Sequence, residues 1–247
     1  MFRNISPHGS GWWAAPAFGG APDIKTDRMV QRMDMNLIKT LLPMLLEGLK
    51  LTILIAVVGI AFGTVIGSIC GYLLQSRFKI GKWIAEIYIW IIRATPLMVQ
   101  ALYMYYVIPK MLGIDLQSTT VGVMVIALNS GAFISEIVKG ALLGIDPGQK
   151  EAGMSLGLTG AQTMIHVIIP PAFKTALPAL FNQFIISVKD TALLSVIAVN
   201  EVTHQAQAYA ALSFKSIPTY TMLALFYLVI LSVLIVVQRQ VERRMHR

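Results

Sequence analysis

Apolar residues form five long runs along the chain, and most of the charged residues lie between these runs. The first run contains no Asp, Glu, Lys or Arg from Leu51 to Leu74. An α-helix rises about 1.5 Å per residue, so about 20 apolar residues cross the roughly 30 Å hydrocarbon core of a bilayer. The pattern therefore predicts an all-α, polytopic membrane protein with five transmembrane helices. Their expected bounds are residues 48–74, 83–108, 121–140, 176–199 and 219–238.

The composition points the same way. Hydrophobic residues make up 56% and charged residues 13% of the chain, whereas soluble domains carry about 25% charged residues. This balance argues against a soluble domain and excludes a disordered or fibrous chain. The single cysteine, Cys70, and four scattered histidines predict no metal site, and no cofactor is expected. The net charge is +8, and the basic residues lie between the apolar runs. This placement favours an anionic membrane surface over nucleic acid as the partner of the basic residues.

The distribution of Lys and Arg predicts the orientation of the spans. In and around the connections after the first, third and fifth spans there are ten of these residues, and the opposite connections hold only Lys110 and Lys215. The first set is expected to be cytoplasmic, which places the N-terminus outside and the C-terminus inside. The N-terminal side of the first span disagrees, because it puts five basic residues outside: Arg3, Lys25, Arg28, Arg32 and Lys39. We expect an extracytoplasmic tail over residues 1–36, a membrane domain over 37–247, and an interfacial helix over 37–46 that leads into the first span.

Three polar residues on different spans lie at overlapping depths in the membrane: Arg93, Asn129 and Asp190. A charge near the bilayer centre costs several kcal/mol unless it is paired or hydrated. One interpretation is an Arg93–Asp190 ion pair that only fixes helix packing. The other is a cavity for a zwitterion, because an Arg fork suits a carboxylate and an Asp carboxylate suits an ammonium group. Pro96 is expected to disturb the helix beside Arg93, and freed carbonyls at that depth are tolerated where they line a wet cavity.

Two other features are expected to be structural. Four glycines recur at every fourth residue of the first span: Gly59, Gly63, Gly67 and Gly71. Their shared face favours close packing of another helix within the subunit, and a subunit interface is the alternative. Glu136 is expected to form an ion pair with Lys139, three residues along the same helix.

The longest connection expected in the cytoplasm, residues 144–170, has signals for two short helices. Asp146 and Pro147 suit the cap and first position of a helix, and Gly157 suits its end. A second helix is expected from Gly160 to Ile169. This pair either joins two spans passively or binds a partner. The chain has no G-x-x-x-x-G-K-[ST] phosphate loop, nucleophile elbow or H-E-x-x-H motif, so it is not expected to be an enzyme.

The same loop carries a resemblance to a known family. Glu151-Ala152-Gly153, followed by Gly157 and by Ile168-Ile169-Pro170, resembles the E-A-A-x-x-x-G…I-x-x-P loop of permease subunits in binding-protein-dependent ABC importers. Gly153 stands where this family usually has a second Ala. Further segments are similar to the polar amino acid branch of the family: Arg93 to Gln100, Ala132 to Gly140, Leu177 to Ile185 and Lys189 to Ile197.

The resemblance implies a cytoplasmic coupling helix between spans 3 and 4 that docks on a dimer of ATP-binding subunits. The coupling residues would be Glu151, Ala152, Gly153 and Gly157. The other implied partners are a second permease subunit, alike or different, an extracytoplasmic solute-binding protein, membrane lipid and a polar amino acid. The implied location is the plasma (inner) membrane of a bacterium.

The resemblance also assigns roles in substrate binding. In the family an Arg holds the substrate carboxylate and an Asp holds its amino group, and the matching positions are Arg93 and Asp190. Four further residues are candidates for substrate contact: Thr95, Asn129, Asn182 and Ser187.

Other functions stay open at this stage. A permease for quaternary amines would use an aromatic cage, for which Tyr103, Tyr105 and Tyr106 are available. The chain could also be the partner in a heteromeric permease that binds no substrate, although the presence of both Arg93 and Asp190 argues weakly against this. A self-sufficient secondary transporter is disfavoured, because no inverted repeat of spans is visible. In a membrane anchor without a pore, Arg93 and Asp190 would be structural.

Overall fold

The computed structural model describes residues 35–245 and contains no β-strand in that range. Its helices are α1 Met35–Leu73, α2 Lys79–Ala94, α3 Leu97–Leu102, α4 Ile108–Leu112, α5 Ser118–Leu143, α6 Pro147–Ser155, α7 Gly160–Thr163, α8 Ile169–Asp190, α9 Val202–Ser213 and α10 Ser216–Met245. Wider π-helical turns over Tyr103–Val107 and Met164–Ile168 join α3 to α4 and α7 to α8, and a 3₁₀-helix over Thr191–Ile197 follows α8. The expected tail over residues 1–36 lies, up to residue 34, outside the described residues.

The membrane spans follow from this order. Four stretches of the described chain are long and apolar enough to cross a bilayer: α1, α5, residues 160–197 and residues 216–243. Two further pieces, α2 and residues 97–112, are together long and apolar enough for a fifth crossing, and they are bent by 105° at the break between them. The predicted all-α membrane fold is confirmed, and the count reaches the predicted five spans when this bent pair is taken as one broken span.

The break lies where the sequence places Pro96. Proline disfavours helical geometry in the residue before it. Thr95 accordingly adopts an extended conformation, with φ −116° and ψ 139°, and α2 ends there. The expected disturbance beside Arg93 is therefore confirmed, and its size divides the span into two helices.

The first span begins earlier than predicted. Residues 37–46 do not form a separate interfacial helix, because α1 runs without interruption from Met35 to Leu73 with Pro43 inside it. Leu37, Leu41 and Leu45 recur on one face and are fully buried. They pack in one cluster with residues of α9 and α10. This tertiary contact holds the extra turns in line with the span.

The glycines of α1 provide its closest contact with another helix. A Cβ atom added at Gly59 would lie 2.7 Å from Cγ2 of Ile126, and one at Gly67 would lie 2.7 Å from Cβ of Ile134. Both partners belong to α5, and no larger residue fits at these separations. The interpretation as packing within the subunit is confirmed.

The second helix of the long loop is continuous with the fourth span. The sequence predicts a helix ending at Ile169 and a span beginning at residue 176, but the helical path is unbroken from Gly160 to Ile197. The π-helical turn at Met164–Ile168 lies just before Pro170 and Pro171. Because the prolines lack N–H groups, carbonyl groups of the preceding turn are left without helical donors at the point where the helix widens.

The sequence prediction missed α9, which lies between the last two spans. Glu201 begins this helix, and its carboxylate accepts hydrogen bonds from the backbone N–H groups of Thr203 and His204, both at 2.7 Å. The Glu201 side chain is fully buried. Its neighbour Val202 packs on α1, where a Cβ at Gly48 would lie 2.8 Å from the Val202 nitrogen. The connection between the spans is thus a packed element of the membrane domain.

Candidate substrate and coupling sites

The side chain of Gln100 forms hydrogen bonds across the break in the second span. The amide nitrogen of Gln100 donates to the carbonyl oxygens of Ile92 at 2.8 Å and Thr95 at 3.0 Å, and to the Thr95 hydroxyl at 2.9 Å. The Thr95 hydroxyl donates back to the carbonyl of Ile91 at 2.8 Å. These bonds satisfy carbonyl groups that the end of a helix leaves without intrahelical partners. They fix the backbone directly beside Arg93.

A polar cavity of about 440 Å³ opens between α2 and α5 next to this break. Its lining residues are Leu74, Glu86, Ile89, Trp90, Arg93, Ala94, Glu136 and Lys139. Two positive and two negative side chains thus face one space together with the Trp90 ring, which is 71% exposed. Such a mixture suits a ligand that carries both charges and an uncharged part.

Glu136 lies between the two cations of this cavity. Its Oε1 atom is 3.8 Å from the guanidinium nitrogen Nη1 of Arg93, and its Oε2 atom is 3.5 Å from Nζ of Lys139. The predicted pair with Lys139 is confirmed, and the pair with Arg93 is an addition that the sequence did not indicate. The Arg93 guanidinium also lies 5.7 Å from the ring centre of Phe133, one turn before Glu136. Helix α5 therefore supplies both the counter-charge and an aromatic surface to Arg93.

The Arg93–Asp190 ion pair, offered as a structural interpretation, does not form. Within the described residues the ion-pair partner of Arg93 is Glu136, and Asp190 makes no ion pair. Asp190 is the last residue of α8 and does not line the cavity. The segment after it still approaches the broken span, because Leu194 and Ile197 pack in one core cluster with Ala101 of α3. Arg93 and Asp190 thus make no contact with each other, although the 3₁₀-helix after Asp190 packs against α3, which follows the break beside Arg93.

The remaining candidates for substrate contact are dispersed. Thr95 is exposed at the break, and Asn182 is exposed on α8. Asn129 and Ser187 are buried within α5 and α8. Of the six candidate residues, only Arg93 lines the polar cavity.

The tyrosines considered for an aromatic cage belong to the π-helical turn after α3. The rings of Tyr105 and Tyr106 meet edge to face with their centres 4.8 Å apart, and Tyr105 packs against the core cluster of α1, α3 and α5. This geometry is ordinary aromatic packing. It does not line the polar cavity.

The predicted coupling helix is α6, and its two ends have the expected chemistry. Oδ1 of Asp146 accepts a hydrogen bond from the Gly148 nitrogen at 2.8 Å, and Pro147 is the first helical residue. At the other end, Gly157 has a φ of +82°. Leu158 N–H donates to the Gly153 carbonyl at 3.2 Å, which closes a Schellman motif with the bond from Gly157 to Met154.

One face of α6 packs against α7, and the other face is exposed. Gly153 is buried, and a Cβ there would lie 2.7 Å from Cγ2 of Thr163 in α7. Glu151, Ala152 and Gly157 are exposed. So are two apolar side chains that the sequence prediction did not single out, Met154 at 55% and Leu156 at 82%. Large apolar side chains that are exposed together are typical of a surface that binds another protein.

Comparison with known proteins agrees with this architecture. The family model described as "Binding-protein-dependent transport system inner membrane component" matches residues 63–247. The chain is 40% identical over 215 residues to the glutamine transport system permease protein GlnP of Escherichia coli (strain K12), which covers 87% of this chain and 98% of that protein. It is 32% identical over 204 residues to the arginine transport system permease protein ArtQ of Bacillus subtilis (strain 168), covering 83% and 93%.

A solved structure supports the same assignment. The crystal structure of an amino acid ABC transporter with histidines contains a chain of 34% sequence identity, with a TM-score of 0.80 over 87% of this chain and 100% of that one. The extent of these matches and the shared fold define a multi-pass inner membrane protein. This chain belongs to the family of inner membrane components of binding-protein-dependent transport systems.

Proposed function

We propose that this chain is the translocating permease subunit of an ATP-driven importer for a polar amino acid. The observation that carries the proposal is Arg93, a half-exposed guanidinium in a polar cavity at a broken span. A guanidinium fork binds a carboxylate through two parallel hydrogen bonds. Relatives that cover most of this chain are named for glutamine and arginine transport, and both amino acids carry the α-carboxylate that such a fork selects.

The amino group of the substrate requires an acid in the same region. Asp190 is our candidate, because the segment after it packs on α3, directly beyond the break next to Arg93. A movement of α3 and of the segment after Asp190 towards the polar cavity would bring the Arg93 guanidinium and the Asp190 carboxylate to the head group of one amino acid. Thr95 and Asn182, both exposed, are secondary candidates, and the buried Asn129 and Ser187 would contact substrate only after rearrangement.

Helix α6 would transmit the energy of ATP. In this proposal two ATP-binding subunits clamp around the exposed side of α6, where Glu151, Ala152 and Leu156 lie. Gly153 on the buried side ties α6 to α7, which is continuous with the fourth span through α8. A push on α6 would therefore reach Asp190 along one helical path. The Schellman motif at Gly157 ends α6 at a defined residue, because it satisfies the last carbonyl groups of the helix.

The proposed orientation follows the positively charged connections. The α6 loop and the C-terminus face the cytoplasm, whereas the N-terminus and α9 face outward, where a solute-binding protein would deliver the amino acid. A second permease subunit, identical or different, would complete the translocation path. Membrane lipid would cover the apolar surface that remains, including the exposed side chains Val229 and Val233 of α10.

The test is uptake by proteoliposomes that contain this chain with its ATP-binding subunit and solute-binding protein. Radiolabelled L-glutamine, L-arginine and L-histidine are offered separately, with ATP inside or absent, and labelled glycine betaine represents quaternary amines. ATP-dependent accumulation of one amino acid is expected. Accumulation of glycine betaine alone, or of none of the four compounds by an assembled complex that hydrolyses ATP, would contradict the proposal.

A further inference from the structure

The guanidinium of Arg93 is held more loosely than a purely structural arginine would be. It carries five N–H donors in a planar fork. Its contacts within the described chain are the 3.8 Å ion pair with Glu136 and the 5.7 Å approach to the Phe133 ring. The ion pair is longer than a hydrogen bond between N–H and oxygen, which spans about 2.7 to 3.2 Å. The fork therefore keeps most of its capacity to bind an anion.

Glu136 forms two long ion pairs, one with Arg93 and one with Lys139. Its two carboxylate oxygens lie 3.8 Å from Arg93 and 3.5 Å from Lys139. The exposed fractions of the three side chains are 49% for Arg93, 39% for Glu136 and 38% for Lys139, so all three are partly exposed in the cavity. Each partly exposed ion pair is weak. A carboxylate that binds two cations weakly can shift from one to the other at small cost.

We propose that Glu136 is a positioning residue that occupies Arg93 in place of a substrate carboxylate and yields to it when substrate arrives. This inference rests on the proposed function, because it assumes that Arg93 receives the α-carboxylate of an amino acid. The Glu136 carboxylate has the same charge and shape as that group. It holds the guanidinium towards the cavity while no substrate is bound, and it competes with the substrate for the same donors.

Lys139 is the alternative ion-pair partner of Glu136 when Arg93 binds a substrate carboxylate. It lies three residues after Glu136 on α5, and the two side chains are already in contact. When a substrate carboxylate takes the Arg93 fork, Glu136 remains paired with Lys139 and is not left as an isolated anion. The reverse step assists release, because Glu136 can re-form its pair with Arg93 as the substrate departs. The three side chains thus act as one exchange unit.

The exchange makes opposite predictions for two neutral substitutions. Glu136→Gln removes the competitor, so the dissociation constant for the amino acid should fall by about two- to fivefold, the range expected from loss of a partly exposed ion pair. Lys139→Gln removes the alternative partner and ties Glu136 to Arg93, so the dissociation constant should rise by a similar factor. The double variant should behave like Glu136→Gln, because Lys139 acts only through Glu136.

The measurement is equilibrium binding of radiolabelled L-glutamine, L-arginine and L-histidine to the purified complex of permease and ATP-binding subunits without nucleotide. The comparison uses whichever amino acid the wild-type complex binds. The amino alcohol with the same side chain, which lacks the carboxylate, serves as a competitor whose affinity should be unchanged in Glu136→Gln. Thermal unfolding of each variant shows that the complex is intact.

Three results would overturn the inference. They are an unchanged or weaker affinity in Glu136→Gln, a shift of both single variants in the same direction, and an equal gain in affinity for the amino alcohol. A purely structural Glu136 would change stability and yield without opposite effects on affinity. If the wild-type complex binds and accumulates none of the amino acids, the proposed function itself fails. If it binds one and only the signs of the variants are wrong, the exchange alone fails.

Discussion

The buried carboxylate of Glu201 accepts a hydrogen bond from the hydroxyl of Tyr227 at 3.3 Å, and this contact joins the start of α9 to the middle of α10. The Tyr227 hydroxyl also lies 3.1 Å from that of Thr203, so three side chains form one network. Glu201 lies between two membrane spans, after Ile197 and before Ser216. Its burial raises the pKa of the carboxyl from 4.5 to about 7, although its hydrogen bonds favour the charged form.

The raised pKa of Glu201 makes stability depend on pH. The folded protein keeps the proton up to about pH 7, whereas the unfolded chain releases it above pH 4.5. The contribution of this group to the free energy of unfolding is therefore complete below pH 4.5 and is lost as the pH rises through 7. The expected loss is about 3 kcal/mol, since each pKa unit corresponds to about 1.4 kcal/mol.

Glu201→Gln should flatten this dependence, because the amide does not titrate. The measurement is thermal unfolding of the detergent-solubilised complex at several values between about pH 5 and pH 8. Glu47→Gln is the matched control, since Glu47 is exposed and pairs with Lys50 at 2.9 Å on the surface of α1. An equal pH dependence in wild type and Glu201→Gln would show that this carboxyl does not control stability.

Gly153 and Thr163 predict a compensating pair of substitutions. Gly153→Ala places a Cβ 2.7 Å from Cγ2 of Thr163, which is itself buried. The contact should push α6 away from α7 and cost about 1–3 kcal/mol, as overpacking does. Transport per ATP hydrolysed should fall, and Thr163→Ser, which removes that methyl group, should restore it in the double variant.

The readout for this pair is the ratio of amino acid accumulated to ATP consumed in proteoliposomes. Gly160→Ala is the control within the same loop, because a Cβ at Gly160 has no neighbour within 4 Å. A coupling ratio that is unchanged in Gly153→Ala, or that Thr163→Ser fails to restore, would contradict a rigid contact between α6 and α7.

Glu151→Lys should uncouple ATP hydrolysis from transport. The side chain is exposed on α6, and reversal of its charge would repel basic groups on an ATP-binding subunit that the native carboxylate attracts. Binding of amino acid to the permease should persist, since α6 is not part of the polar cavity. The measurement compares uptake and ATP hydrolysis with those of Glu47→Lys, a charge reversal at another exposed glutamate, on α1. Normal uptake by Glu151→Lys would exclude the docking role.

Features that depend on neighbouring residues were predictable from the sequence. Pro96 fixes the break because it acts on the residue beside it, and Asp146 and Gly157 bound α6 through hydrogen bonds within a single turn. The spans follow from the length of each apolar run. The four-residue spacing of glycines in α1 indicated their shared face and close contact with another helix.

Features that depend on the rotation and packing of helices were not predictable. Distance along a helix gives the depth of Arg93 in the membrane but not the side it faces. An Arg93–Asp190 ion pair was therefore one of two interpretations of the sequence, whereas the structure pairs Arg93 with Glu136. Helix α9 was missed because it is too short for a span, and because its cap is a Glu. The burial of that Glu is a consequence of packing by α1 and α10.

The proposed binding of substrate by Arg93 is tested by Arg93→Ala. Its removal should reduce ATP-dependent uptake of the transported amino acid by about 100-fold, the scale expected for loss of a bound charge pair. The complex should still assemble and hydrolyse ATP, because the guanidinium is half-exposed in a cavity. Lys82→Ala is the control, since Lys82 lies on the same helix and makes an exposed pair with Glu86.

The decisive measurement is therefore uptake of the labelled amino acid by proteoliposomes that contain equal amounts of assembled wild-type, Arg93→Ala or Lys82→Ala complex. Uptake near background is expected for Arg93→Ala, and uptake near the wild-type level is expected for Lys82→Ala. Normal uptake by Arg93→Ala would show that Arg93 does not bind substrate, and failure of that complex to assemble would make Arg93 a structural residue.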